Sequence, residues 1–263
     1  MVIFESGFTG IAYPSRNPRI AGWPLTGTIA ASSEVAGFAA TEAANDLTYQ
    51  FWRPSALPAT WEVDFGGAET VSYFGIAAHS LGSSGNTVAA QVWSGGAWVT
   101  VATHTPQDDS PILVLCAAKL VSKARIVVSG GTVPDIAVIR FGDILEFPQP
   151  AAYVGRRDIQ QLAIAEYRTT ISDGGHVQGR YISRRGQSFT LAVAHLSETW
   201  KASDLDPLIL HLETEAVFVA DRPGEFPASV AFGQTVAPVV PERAVPNASV
   251  SISVSMEFVG HVA

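Results

Sequence analysis

Apolar and polar residues alternate with period 2 in two long stretches of this chain, and the alternation predicts strands. In the first stretch Trp61, Val63 and Phe65 fall on one side and Thr60, Glu62 and Asp64 on the other, as in a half-buried strand. After Gly66-Gly67 the apolar run 71–78 predicts a second strand. Residues 87–93, a Ser-Gly-Gly turn and residues 97–103 predict a hairpin. Runs at 112–116, 124–129, 136–141 and 144–147 continue the series, so several short strands separated by turns predict a sandwich or jelly roll.

The second stretch is the end of the chain. Over 248–259, Val250, Ile252, Val254, Met256 and Phe258 alternate with Ser249, Ser251, Ser253, Ser255 and Glu257. Extended, it would span about 40 Å, which suits a sheet continued between subunits. Before it, 166–172, 177–183 and 188–195 read as strands, the last two joined by a turn at Arg184-Arg185-Gly186-Gln187. Between 197 and 215, Trp200, Leu205, Leu208, Ile209 and Leu212 approach helical spacing. Ser203 or Asp204 is placed to cap this helix, and Pro207 fits its first turn.

Pro148 and Pro150 interrupt any ladder and mark the best boundary. The expected organisation is an irregular arm over 1–27, anchored by Trp23, a β-sandwich over 28–148, and a second β domain with one helix over 151–263. The fold class is mainly β.

Composition supports a folded chain, with 47% hydrophobic and 15% charged residues. The net charge of −8 argues against a dedicated nucleic-acid binder, because phosphate affinity comes from Lys and Arg. Charge is nevertheless polarised. Arg156, Arg157, Arg168, Arg180, Arg184 and Arg185 oppose only Asp158, Glu166 and Asp173 in one stretch, and the later chain is acidic. Solvated strand faces account for this, as do basic and acidic surfaces meeting across subunits. The N-terminal sequence lacks the pattern of a secretory signal, and no run approaches the ~20 apolar residues of a membrane span, so no membrane insertion is expected.

Chemistry is hard to place on these residues. Cys116, the single cysteine, excludes an intrachain disulfide and a multi-cysteine zinc site, and its apolar setting reads as burial. His79, His104, His176, His195, His211 and His261 show no metal-ligand spacing. Asp108-Asp109 reads as a loop, and Asp204 with Asp206 as a helix start, rather than as a carboxylate pair across a sugar. Gly82 to Gly85 lacks the lysine of a phosphate loop. The expectation is a protein that is not an enzyme.

Between Thr28 and Pro148 the segments ASSE, AAND, FWRPS, TWEVDFG, YFGIAAHSLGSSGN, a Trp-bearing hairpin, ARIVVSGG and IRFGDILEF follow in order. This succession resembles a discoidin-type, galactose-binding-like module. The resemblance implies a jelly-roll sandwich whose end loops bind glycans. It points to Tyr49, Trp52, Arg53, His79 and Asn86 as ligand-binding residues, with Phe51 beside them, although Trp52 also aligns with a tryptophan that packs under the sandwich. The segment Asn45-Asp46-Leu47-Thr48 resembles a loop that in such modules holds a structural calcium ion. Asp46 is its one charged contributor where calcium prefers six to eight oxygens, so a metal-free Asn/Asp turn is the preferred reading. Calcium is the one cofactor this allows. The family's extracellular members are often closed by a disulfide, and this chain departs from them toward assembly in a reducing cytoplasm.

After Pro150, residues 180–195, the helix before Phe218 and the terminal strand ending MEFVGH resemble tail-tube-like folds of long-tailed bacteriophages. Together the two resemblances imply a non-enzymatic distal-tail or baseplate component. It would form a homo-oligomeric ring, contact other tail proteins and present its sandwich to host-surface glycans. Its place would be the tail tip of the virion, after assembly in the host cytoplasm. The alternative is an accessory carbohydrate-binding module of a polysaccharide-degrading system.

Overall fold

The first half of the chain is wound from strands too long to stay in one layer. The computed structural model describes residues 1–151, 163–244 and 251–260; Arg156, Arg157, Asp158, Ser249, Val250 and His261 lie outside them. Strands β1 (Val2–Phe4) and β2 (Arg19–Ala21) come from the N-terminal segment. They are followed by β3 (Thr28–Ala31), β4 (Ala59–His79), β5 (Thr87–Ser94), β6 (Ala97–His104), β7 (Ile112–Ser129) and β8 (Ile136–Gly142). The first sheet runs β3-β4-β7-β5-β6, with β1 added in parallel to β7 and β8 to β4. Two predicted strands are here one, because the irregularity at Gly66-Gly67 bends β4 without ending it. The register shifts between Asp64 and Glu69, and Gly66 takes φ +73°, a conformation open to glycine. Both halves of β4 and of β7 feed the same core, so the sheet folds over itself around Trp52, Trp61, Phe74, Ile126 and Phe141. Phe141 sits edge-on to both Trp61 and Phe74, at 5.7 and 5.1 Å between ring centres.

A second sheet is laid on the outside of this sandwich. Its strands are β9 (Leu145–Glu146), β10 (Ala163–Ile171), β11 (Val177–Leu196), β12 (Val217–Ala220), β13 (Val230–Thr235), β14 (Glu242–Ala244) and β15 (Ser251–Gly260). The order is β10-β11-β15-β13-β12-β2-β9, with β14 on β15. The segment read as an arm therefore supplies a strand to each sheet, and β9, before Pro148, belongs to the second. Three-residue strands carry too little periodicity to be seen in sequence. What holds them is long-range: Arg19 pairs with Glu146 at 3.1 Å in a buried site, and the Glu146 carboxylate accepts the N–H groups of Ile11, Ala12 and Tyr13. Trp23 does anchor this segment, stacked on His211 at 5.2 Å while its N–H donates to His211 Nε2.

A further expectation changes. Residues 184–187 continue β11 instead of turning, and the reversal lies at Ser172–His176, where Gly175 takes φ +78° and Ser172 N–H donates to the His176 carbonyl. The described part of the terminal strand, β15, is flanked within the chain itself, by β11 along one edge and by β13 and β14 at the two ends of the other. Its alternation is kept, with Ile252, Val254, Met256 and Phe258 buried.

The helical insert runs as α1 (Glu198–Trp200), a wider π turn over Lys201–Leu205, and α2 (Asp206–Leu212). Ser197 is the cap, its hydroxyl accepting from Trp200 N–H, nearly two turns earlier than Ser203 or Asp204. Pro207 lacks the N–H that would reach back to residue 203, and the widened turn just before it absorbs the lost bond. Leu205, Leu208 and Leu212 cover one face of the second sheet with Val217, Val219 and Ala231. The other face, with Phe218, Ala220 and Phe232, packs on Tyr73, Leu115 and Val138 of the sandwich.

Candidate functional site

Because β4 bends back, both of its ends arrive at one end of the sandwich, and the loops there converge. Trp52 pairs with Ile136, which pairs with His79. Thr132 N–H donates to the Ser84 carbonyl, and Ser83 N–H to Asp109. Loops 32–58, 80–86, 105–111 and 130–135 thus form a single surface.

At its centre stands Arg53. Its Nε and Nη2 donate to the two oxygens of Asp135 at 2.6 and 2.8 Å, and its guanidinium carbon lies 4.3 Å from the centre of the Phe38 ring and 5.2 Å from that of Phe51. Phe38 and Phe51 stack at 4.9 Å. The hydrogen bonds it donates to Asp135 raise the already high guanidinium pKa, so the cation is permanent. Asp135 is fixed in turn, since its N–H donates to Ser80 Oγ at 2.9 Å and its carbonyl accepts from Ser80 N–H. Tyr49, in the same loop as Phe51 and Arg53, is 72% exposed. The arrangement offers two rings and a planar cation, with the Asp135 carboxylate and the Tyr49 hydroxyl available to hydroxyl groups. Nothing in it is arranged as a nucleophile with a base, and no group of three His, Cys, Asp or Glu able to hold a metal occurs among the described residues.

Of the predicted ligand residues, Tyr49 and Arg53 face solvent on this surface and three do not. Trp52 is fully buried, with Nε1 donating to the Ser33 carbonyl at 3.0 Å, so it supports the loop from beneath. Asn86 is also fully buried, its amide spanning the carbonyls of Gly130 and Thr132, where it ties two loops together. His79 is buried with Nδ1 accepting from Leu81 N–H and Nε2 at 3.0 Å from the Ser110 carbonyl, which assigns the proton to Nε2. Sequence pattern alone missed Phe38 and Asp135, whose role appears only when the loops meet.

Asp46 likewise has other work than holding a calcium ion. One carboxylate oxygen is paired with Arg140 Nη2, and the other accepts from Ala216 N–H at 2.9 Å. Arg140, only 2% exposed, also donates to the Ala216 carbonyl, and its guanidinium lies 5.2 Å from the Phe232 ring. The acid of this loop therefore binds a cation of the protein itself and clips the loop to the second sheet.

Burial depresses the His79 pKa from 6.5 to about 4, against the opposing pull of Asp109 and the Ser110 carbonyl. The folded state thus binds fewer protons at this ring than the unfolded state between those values. Stability should rise with pH from about 4 to 6.5 and be fully present above that, with His211, also lowered by burial, adding in the same direction. An NMR titration should place the His79 midpoint near 4, and urea unfolding of His79→Asn should show a flatter pH slope. A His79 midpoint near 6.5 would contradict the buried neutral ring.

No family model matches the chain, and no curated protein matches it. Among solved structures it is similar to chitosan-binding module 1 of a chitosanase/glucanase from Paenibacillus sp. IK-5, at 22% identity, over 46% of this chain and 98% of that one, with a TM-score of 0.40. It is similar also to the family 32 carbohydrate-binding module of NanJ from C. perfringens, solved with galactose, at 20% identity, over 48% and 99% of the two chains, with a TM-score of 0.40. A pectin-binding carbohydrate-binding module shares 10% identity over 46% and 93%, at a TM-score of 0.40.

Proposed function

We propose that the protein is a non-catalytic glycan-binding protein, with the end-loop surface around Tyr49, Phe38, Phe51 and Arg53 as its sugar site. The observation that carries this reading is the Arg53–Asp135 pair held over two stacked rings. Its planar groups are ordered before any ligand arrives, so little further entropy is lost on binding. Apolar C–H faces of a pyranose suit the rings, and equatorial hydroxyls suit the carboxylate and the phenol. Single sites of this openness bind weakly, with millimolar affinity gaining strength through multivalent display.

A glycan array followed by calorimetry tests the proposal. Neutral sugars should bind, and Tyr49→Ala and Arg53→Ala should each weaken binding about tenfold, the equivalent of ~1.4 kcal/mol, with unchanged melting behaviour. Binding that is absent from the array, or indifferent to both substitutions, would sink the proposal.

A second reading concerns the setting: a structural component of a bacteriophage tail tip, as opposed to an accessory module of a polysaccharide-degrading system. What favours it is the way the sandwich is fixed to the second sheet by β2, β9 and the Asp46–Arg140 clip. An accessory module gains from a linker that lets it range over substrate, whereas a display scaffold needs a fixed orientation. Immunogold electron microscopy of phage particles would test it, and label missing from the tail tip would count against it.

A further inference from the structure

We infer that the sandwich carries a second sugar site, on the outer face of one of its layers, and that this site takes an extended, uncharged polysaccharide chain. The bends in β4 and β7 divide the sandwich into two layers. The later part of β4 and the earlier part of β7 build one of them with β8 and β1, and Tyr73, Leu115 and Val138 of that layer pack on the second sheet. The other layer consists of β3, the start of β4, the end of β7, β5 and β6. Trp61, Val63, Val92, Ala124 and Ile126 belong to the core on its inner side, so the residues alternating with them point outward.

Those outward residues form two rows across the strands. Register aligns Ala30, Glu62, Arg125, Gln91 and Thr100 in one row. The next row holds Thr28, Asp64 and Lys123, and at its β6 end Trp93 is paired with Trp98. All of these residues are exposed or half-exposed. Five strands at ~4.8 Å spacing make a strip roughly 19 Å long, enough for several sugar units in line. Its side chains are already ordered. Arg125 Nε donates to Gln91 Oε1 at 2.7 Å, and Gln91 Nε2 donates to Thr100 Oγ1 at 2.9 Å. The Arg125 guanidinium carbon lies 4.1 Å from the centre of the Trp98 ring, which stands edge-on to Trp93 at 5.3 Å. Planar groups fixed in advance lose little entropy when a ligand arrives.

Chemistry selects the occupant. Glu62 and Asp64 balance Lys123 and Arg125, with Lys123 Nζ 2.7 Å from Asp64 Oδ2 and 3.5 Å from Glu62 Oε1, so the strip has no net charge to attract an anionic polymer. Charged and amide groups fill its middle, where the core of a protein interface would be depleted in charge. Trp52 and Trp61 spend their indole N–H groups on carbonyls, whereas those of Trp93 and Trp98 have no protein acceptor among the described residues and can donate to hydroxyls. Rings for C–H faces, with amide, hydroxyl and indole groups in fixed positions beside them, suit a neutral glycan. The strip is also separate from the end loops. Thr87 follows loop 80–86, and Trp93 lies six residues further along β5, roughly 20 Å from that surface. No single sugar spans both places, but a long chain engages both and gains avidity.

Calorimetry in an Arg53→Ala background tests the strip by itself, so that its failure and failure of the end-loop site are read separately. The probes are β-linked hexasaccharides of glucose, mannose, xylose and galactose, their monosaccharides, and a hexagalacturonate as the anionic control. At least one neutral hexasaccharide should bind, its monosaccharide more weakly, and Trp98→Ala should weaken the hexasaccharide about tenfold. Because loss of Trp98 also uncovers Arg125, Thr100→Arg serves as a second variant. Its position is exposed, its long side chain would lie across the row, and it should weaken the hexasaccharide with melting unchanged. Absence of binding to every neutral hexasaccharide, tighter binding of the hexagalacturonate, or affinity indifferent to both substitutions would each overturn the inference.

Discussion

Replacing Arg140 with methionine is expected to cost about 3 kcal/mol of stability, read as a fall in the urea midpoint and a lowering of Tm by roughly 6 to 12 °C. The side chain reaches from β8 to the Asp46 carboxylate and the Ala216 carbonyl and lies against Phe232. Burial lowers its pKa to about 10, with Glu215 opposing, so it is charged at neutral pH in a place where charge is expensive. Methionine fills similar volume and removes the cation, which leaves the Asp46 carboxylate facing a sheet interface with only the Ala216 N–H. The expected cost sits at the low end for a broken buried pair, because Asp46 keeps some solvent and Arg140 Nε has no partner to lose. Asp46→Leu in the Arg140→Met background should recover part of the loss, since the two changes remove a pair together. A single Arg140→Met variant within ~0.5 kcal/mol of the parent would show that the clip contributes nothing.

How far the sequence predicts this architecture depends on the distance over which each signal acts. Trp61 and Val63 are buried as their alternation implies, and so is the apolar face of β15, since period 2 is a local property. Alternation names two faces without saying which is inside. In the hairpin β5–β6, Trp93 and Trp98 form an edge-on pair at 5.3 Å on the outer face, with Arg125 4.1 Å from the Trp98 ring, while Val88, Ala90 and Val92 are buried. Arginine stacking makes a half-exposed tryptophan tolerable there. The site shows the same limit. Tyr49 and Arg53 could be named from one segment, but Phe38 and Asp135 are 15 and 82 residues from Arg53, and only the meeting of the loops brings them to it. Asp46 was visible as an acid in a loop; its cation, 94 residues away, was not.

Phe218→Ala should be the most damaging single substitution, at about 3 to 5 kcal/mol. Its fully buried ring lies between the two sheets, 4.8 Å from the Phe232 ring and directly over Gly75 of β4. The approach is close enough that a Cβ on Gly75 would lie 2.4 Å from the Phe218 ring, so glycine is required there for the space it leaves. Gly75→Ala alone should therefore destabilise by roughly 1 to 3 kcal/mol, by forcing the ring aside. In the Phe218→Ala background the same methyl would enter a void, and the double variant should be less destabilised than the two losses added. Urea unfolding of the four proteins measures that coupling, and simple additivity would mean that the sheets relax apart instead of packing on this ring. The contact matters beyond stability. The sandwich and the second sheet also share the N-terminal strands, so the parent should unfold in one transition. If Phe218→Ala split it into two, the ring would be what makes the two halves one cooperative body, and thereby what holds the end loops of the sandwich at a fixed angle to the second sheet.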